Sequence, residues 1–180
     1  MLICLTGLHG AGKSYFSELI PLEFGFKIFS KKKELSRIYK LKTGKDNWQD
    51  WYQKEYSKDP RRITEFILSG IRNDDNTILD AIHSPIEWDI IKEKFPDACL
   101  AEVVTPESIR NQRITTLDME KDKKRISYWH SNNECLLTKV DWTFNGAASK
   151  DLNENSFQEF INYIKMRDIQ DKNQSLELNL

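Results

Sequence analysis

TGLHGAGKSY, residues 6–15, follows directly on the apolar run LICLT (2–6). From Gly7 to Ser14 it fits the pattern G-x-x-x-x-G-K-[ST] at every fixed position. The chemistry requires that spacing. Glycines let the backbone curl until several N–H groups aim at one anion, and the helix that follows adds the partial positive charge of its N-terminus. A lysine at position 13 reaches the outer phosphates of a nucleotide, and a serine at 14 offers its hydroxyl to Mg²⁺. A strand before the loop and a helix start, KSYFSELI (13–20), after it supply the setting the motif needs. Gly7, His9, Gly10, Ala11, Gly12, Lys13, Ser14 and Tyr15 are therefore the expected phosphate-binding residues, with His9 a solvent-edge position rather than a catalyst.

At 180 residues the chain is long enough for one substantial core and short for two. Hydrophobic residues make up 39% and charged residues 31%, the balance of a globular protein with a charged surface. A net charge of -1 speaks against neutralising nucleic acid as the main task, while leaving room for a local basic patch. No apolar run approaches the ~20 residues of a membrane span, and the first apolar stretch runs straight into the glycine loop rather than forming a signal sequence. The cysteines, Cys4, Cys99 and Cys135, lack metal-ligand spacing, and Cys4 and Cys99 lie in apolar segments as buried thiols do. These features lead to the expectation of a cytoplasmic, reduced protein that does not enter the membrane.

Five short apolar runs read as strands: LICLT (2–6), FKIF (26–29), TILD (77–80), CLAEVV (99–104) and DWTF (141–144). Helical segments alternate with them, the order that builds a parallel sheet covered by helices through right-handed crossovers. Ser84-Pro85-Ile86-Glu87 has the signature of a helix start, Thr105-Pro106 opens another helix, and Asp46 with Gln49 resembles a capping box. Ile63, Phe66, Ile67 and Ile71 form one helical apolar stripe, and Phe157, Phe160, Ile161 and Ile164 form a second. Past residue 168 the chain is polar and is expected to fray.

Three further segments carry a resemblance. TPESIRNQRI (105–114) follows the fourth strand, the charged DMEKDKKRIS (118–127) comes next, and KVDWTFNGAAS (139–149) spans the last strand and its turn. With the phosphate loop they resemble the nucleotide-kinase branch of P-loop proteins, particularly dephospho-coenzyme A kinases and adenylate kinases, over residues 2 to 165. The resemblance implies a three-layer α/β/α P-loop NTPase fold with a five-stranded parallel sheet. Residues 1–168 would form one kinase domain, with 31–72 a helical acceptor-binding insertion, 114–130 a lid-like segment and 169–180 a polar tail. It implies ATP and Mg²⁺ as cofactors, Lys13, Arg110 and Arg113 around the transferred phosphoryl group, and Arg125 as a further candidate. Arg110 and Arg113 are one helical turn apart and are expected on the same side. Asn145, Gly146 and Ala147 would lie beside the base, with Asp141 and Asn145 close to the family's spacing in that turn. Asp80, closing the third strand, would hold Mg²⁺ with Ser14 or take a proton from an acceptor hydroxyl; the competing role is a cap.

The acceptor side leaves alternatives open. Where dephospho-coenzyme A kinases end the second strand in an aspartate, FKIFS ends in Ser30, a poor base. An acceptor that is already a phosphate needs cations instead, and Lys31, Lys32, Lys33 and Arg37, with Arg61 and Arg62 further on, offer them unless they form an ordinary solvated face. Trp48, Trp51 and Tyr52 either stack on a base or pack in a core, and His83 either touches the acceptor or belongs to a capping loop. The expectation is a phosphotransferase from ATP to a small nucleotide or nucleotide-like acceptor. Alternatives are a nucleotide-binding switch without such an acceptor, or a kinase acting on a hydroxyl of a sugar, a cofactor or a nucleic-acid end. A GTPase is disfavoured, since no N-K-x-D motif and no DxxG after the third strand is present.

Overall fold

A computed structural model describes residues 1–72, 74–131 and 136–177. Its centre is β1 (Leu2–Thr6), buried along its whole length. Successive strand side chains point to opposite faces. Ile3 and Leu5 thus enter one core while Leu2 and Cys4 enter another. A strand buried on both faces calls for a run of apolar residues rather than alternation, and LICL provides it.

Four more strands complete the sheet: β2 (Lys27–Phe29), β3 (Thr77–Leu79), β4 (Cys99–Val104) and β5 (Trp142–Asn145). They lie in the order β2-β3-β1-β4-β5, and every neighbouring pair is parallel. Ile3 stands opposite Ile78 of β3 on one side and Cys99 of β4 on the other. The expected five-stranded α/β architecture is what the chain forms, with strand ends displaced by a residue at most.

On one face, α1 (Lys13–Phe24) and α8 (Lys150–Glu177) cover the sheet. Phe16 of α1 stacks on Phe144 of β5 at 4.7 Å between ring centroids, and Phe160 of α8 meets Phe144 edge-on at 5.4 Å. The stripe Phe157, Phe160, Ile161 and Ile164 is wholly in this core. Beyond it α8 continues through the polar stretch to Glu177, so residues 169–177 extend a helix. On the other face, α4 (Pro60–Leu68) and α5 (Pro85–Lys94) supply Leu68, Trp88, Ile90 and Ile91, joined by Leu136.

The insertion between β2 and β3 consists of α2 (Lys31–Thr43), α3 (Gln49–Lys58) and α4. The Ser30 hydroxyl caps α2 by accepting from Lys33 N–H at 3.4 Å, and Gly44, at φ 71°, ends it. Asp59 caps α4 by accepting from Arg62 N–H at 2.9 Å, so DPRR is a helix start. The capping box read from Asp46 and Gln49 does not form. Trp48 is already near-helical at φ -88°, ψ -15°, so the helix begins too late for Asp46 to reach it, and Asp46 pairs with Lys40 instead. Phe66 also departs from its stripe: Ile63, Ile67 and Ile71 are buried, while Phe66 lies outside beneath the Lys42 ammonium. Trp48, Trp51 and Tyr52 pack against Leu35, Ile63 and Ile67, the core use of that cluster.

Lys31 is the largest departure from the surface basic run. It is only 6% exposed, and its ammonium donates to Glu87 of α5, itself 3% exposed. Burial alone would push that ammonium down. The Glu87 carboxylate and Tyr52 beside it outweigh burial and leave its pKa raised, so the charge is retained. This pair ties the insertion to the sheet layer. Removing one member strands a buried charge, which costs about 3–5 kcal/mol, whereas replacing both by apolar groups is close to neutral. Lys31→Met should therefore lower unfolding stability by about 3–5 kcal/mol in denaturant titration, and Lys31→Met with Glu87→Leu should recover most of the loss. Equal stability of Lys31→Met and wild type would remove the pair from this account.

Candidate active site

The strand order turns at β1, with β3 on one side and β4 on the other. In open α/β sheets ligands bind in the crevice beyond the carboxyl end of such a strand. The glycine loop occupies that place. Gly7 at φ 134° and Gly12 at φ 103° adopt backbone conformations that residues with a Cβ rarely tolerate. A Cβ on Gly7 would also lie 2.5 Å from the Val103 carbonyl oxygen. The fixed glycines of the motif are thus explained by backbone shape and by the closeness of β4.

The loop is held from outside at Ala11. Its carbonyl accepts from the Thr105 hydroxyl at 2.7 Å, and Gly146 packs so closely that a Cβ there would sit 1.9 Å from the same oxygen. Lys13, the first residue of α1, folds its ammonium onto the carbonyls of Gly7 and Leu8 at 2.7 and 2.8 Å, which keeps the cation at the loop. The Ser14 hydroxyl has no hydrogen-bond partner among the described residues, and Tyr15 stands edge-on to Phe16 at 5.6 Å.

Two arginines from beyond β4 close on this loop. The short α6 (Glu107–Arg110) ends at Arg110, and α7 (Thr116–Ser131) begins after a turn. Although α6 ends there, both arginines turn to the same side and reach adjacent residues of the loop. Arg110 donates to the His9 carbonyl at 3.3 Å. Arg113 donates to the carbonyls of Gly10 and Gly146, each at 3.3 Å, and so bridges the loop to the turn after β5. In that turn Asn145 accepts from Ala147 N–H at 3.0 Å through its side chain, and Gly146 N–H donates to the Val104 carbonyl at 2.8 Å. Arg125's side chain lies outside the described residues.

The His9 side chain is 31% exposed, yet it is tied down on its inner side. Its Nδ1 lies 2.7 Å from Asp122 Oδ1, and its backbone N–H donates to Asp122 Oδ2 at 3.0 Å. Asp122 is buried, and the sequence reading missed it within a charged segment that resembles a solvated surface. One signal was available: Met119, Asp122 and Ile126 share a helical stripe, so the aspartate occupies an inward-facing position.

Asp80, just past β3, serves two sides. Its Oδ1 accepts from the Lys31 N–H at 3.0 Å, capping the N-terminus of α2. Its Oδ2 has no partner among the described residues. His83 belongs to a capping loop, donating its backbone N–H to Glu87 at 3.3 Å. Asp141 lies at the far end of β5, where it accepts from Leu100 N–H at 2.8 Å and pairs with Arg167. Of the acceptor-side cations, Lys32 and Lys33 are exposed, while the arginines have carboxylate partners. Arg37 is paired with Glu34 at 2.6 Å, and Arg61 with Glu93 at 2.7 and 2.9 Å.

Among the described residues no group of three or more His, Cys, Asp or Glu side chains is disposed to enclose a metal ion. Mg²⁺ at a phosphate loop takes most of its ligands from phosphate and water. The Ser14 hydroxyl and Asp80 Oδ2 suit that arrangement.

No family model matches the chain, and no curated protein matches it in sequence. Solved structures do match in fold. Shikimate kinase from Bacteroides thetaiotaomicron shares 15% identity over 92% of this chain and 98% of its own, with a TM-score of 0.63. A gluconokinase from Sinorhizobium meliloti 1021 shares 14% over 93% and 95%, at 0.62. Shikimate kinase from Aquifex aeolicus vf5 shares 16% over 94% and 99%, at 0.58. The fold is that of the P-loop small-molecule kinases, and at these identities the likeness establishes the fold without singling out the nucleotide-kinase branch. Among the described residues no helix is long and apolar enough to cross a membrane.

The close approach at Ala11 yields a direct expectation. Gly146→Ala places a Cβ 1.9 Å from the Ala11 oxygen and 2.4 Å from the Thr105 hydroxyl, so the loop or the turn must move. Calorimetry should show Mg·ATP affinity reduced by about tenfold or more, with a melting temperature lower by several degrees. Unchanged affinity would mean that the turn does not set the loop.

Proposed function

We propose that this chain is an ATP- and Mg²⁺-dependent phosphotransferase whose acceptor is a hydroxyl group of a small molecule. The observation that supports phosphoryl transfer is convergence. A phosphate loop at residues 7–14 is met by Arg110 and Arg113 from a separate element, with an open carboxylate oxygen, Asp80 Oδ2, at the end of the strand next to β1. Phosphoryl transfer is catalysed mainly by positioning and by positive charge around the moving group. In this reading the loop N–H groups and Lys13 bind the β- and γ-phosphates. Arg110 faces the phosphate side, and Arg113, bonded to Gly146, marks the base side together with Asn145 and Ala147. Mg²⁺, held by Ser14 and through Asp80, would neutralise charge that develops on the phosphates. The acceptor oxygen bonds to the γ-phosphorus as the bond to the β–γ bridging oxygen breaks. Its proton passes to Asp80 or to water, and ADP leaves.

The choice of a hydroxyl rests on the acceptor side. Lys31 is buried against Glu87, and Arg37 and Arg61 pair with neighbouring carboxylates, while Lys32 and Lys33 lie exposed on the surface, so the innermost cation of the run is not offered to a phosphate acceptor. A hydroxyl acceptor needs a base, and Asp80 offers one. The tryptophans that could have stacked on an acceptor base are packed in the insertion. The nucleotide acceptor expected at first is therefore the less favoured form. The matching folds, named as kinases of shikimate and of gluconate, agree with a hydroxyl acceptor. The buried free thiols Cys4 and Cys99 suit a reducing, cytoplasmic setting.

The test is ADP release from Mg·ATP by wild type and Lys13→Ala. The acceptor panel comprises sugars, sugar acids, polyols, hydroxylated ring acids, dephospho-coenzyme A and each nucleoside monophosphate. A hydroxyl compound should raise ADP release by tenfold or more over ATP alone, and Lys13→Ala should lose about 10²-fold or more of that rate. Stimulation by a nucleoside monophosphate would replace the hydroxyl class with a phosphate acceptor. ATP binding with no stimulation by any acceptor would favour a nucleotide switch.

A further inference from the structure

Helix α7 docks in an unusual way. A surface helix ordinarily holds to its domain by apolar side chains. Among the described side chains of α7, the only buried one is a carboxylate, Asp122. Donors that converge on it among the described residues include the His9 backbone N–H at 3.0 Å, His9 Nδ1 at 2.7 Å and Arg110 Nη1 at 3.2 Å. Two of these donors belong to the third residue of the phosphate loop, and the other is an arginine that reaches that loop.

We propose that Asp122 is a positioning residue of the phosphate site, acting on nucleotide through Arg110 and through the His9 peptide. The inference rests on reading the loop as an ATP site. The Arg110 side chain is only 12% exposed, and a guanidinium so far removed from water needs a counter-charge. Asp122, at 5%, supplies it. The pairing uses a single nitrogen. Nη1 serves both Asp122 and the His9 carbonyl, whereas Nε and Nη2 have no partner among the described residues. An arginine anchored on one corner keeps the rest of its planar fork for a phosphate, and its orientation is set in advance. The same carboxylate fixes the loop's third peptide. One side chain therefore sets both the arginine and the loop against which it works.

A carboxylate that merely pinned α7 to the domain would affect every property of the fold alike. A positioning residue loses most of its effect on nucleotide once Arg110 is absent, and that difference is measurable without an acceptor. Mg·ATP and Mg·ADP binding are measured by calorimetry for wild type, Asp122→Asn, Arg110→Ala and the double variant, with thermal melting of each. Asparagine keeps the shape, but its amide turns a donor toward donors. Asp122→Asn should weaken Mg·ATP binding by about tenfold, with ADP affected less, because hydrogen bonds between charged groups contribute about that much. In the Arg110→Ala background the same substitution should cost clearly less, about two- to threefold, since only its hold on the His9 peptide remains. Three results overturn the proposal: unchanged ATP affinity in Asp122→Asn; the same loss with and without Arg110; or tighter ATP binding, which would make Asp122 an internal competitor of phosphate. If Asp122→Asn melts too early to assay, Asp122→Ser takes its place with the same expectations. Wild-type protein that binds no ATP would defeat the functional reading itself and is recognised before any variant is made.

Discussion

The structure turns on the approach of backbone to backbone around Ala11. A phosphate loop works only if its N–H groups stay turned inward with no anion present. The peptide dipoles on the outer side must then find partners elsewhere. Here the Ala11 carbonyl takes the Thr105 hydroxyl, and the carbonyls of Gly10 and Gly146 share Arg113. Gly146 lies against Ala11 with no space for a Cβ, and Gly7 likewise lies against the Val103 carbonyl. β4 and the turn after β5 thus act as a mould for the loop between β1 and α1. This is why segments more than ninety positions away in sequence matter to ten residues near the start.

The mould is built from two kinds of contact with different consequences. The sheet and its two cores are apolar and tightly filled, with Phe16, Phe144, Phe157 and Phe160 interlocked on one face. Such packing does not adjust gradually. Helix α7 is held differently, by hydrogen bonds among Asp122, His9 and Arg110. Hydrogen bonds can be exchanged for others of similar strength when a charged ligand arrives, and an apolar seam cannot.

Much of this was legible in the sequence, for reasons specific to particular residues. β1 is buried along its whole length and β4 over most of it, so LICLT is a nearly unbroken apolar run and CLAEVV is broken only at the half-buried Glu102. The phosphate loop is legible because its glycines are required by backbone geometry, which no other residue supplies as cheaply. Less was legible where one residue type serves opposite ends. In KKKEL nothing local distinguishes Lys31, buried against Glu87 fifty-six positions later, from the exposed Lys32 and Lys33. Asp122 was hidden by Lys121, Lys123 and Lys124 around it, although its place between Met119 and Ile126 was a clue. Arg110 and Arg113 share a helical spacing and both reach the loop, but that Arg113 also bonds Gly146 in the turn after β5 had no local signal. Each shortfall has one cause: a polar partner brought in by tertiary structure decides what a charged residue does.

The most direct measurement is a crystal structure with Mg²⁺ and a non-hydrolysable ATP analogue. The account requires the β- and γ-phosphates on the N–H groups of residues 10–14, with the Lys13 ammonium moved from the Gly7 and Leu8 carbonyls onto phosphate oxygens. The base should lie beside Gly146 and Arg113, and Arg110, still paired with Asp122, should turn toward the γ-phosphate. A nucleotide bound elsewhere, or one whose phosphates leave Lys13 on its loop carbonyls, would contradict it.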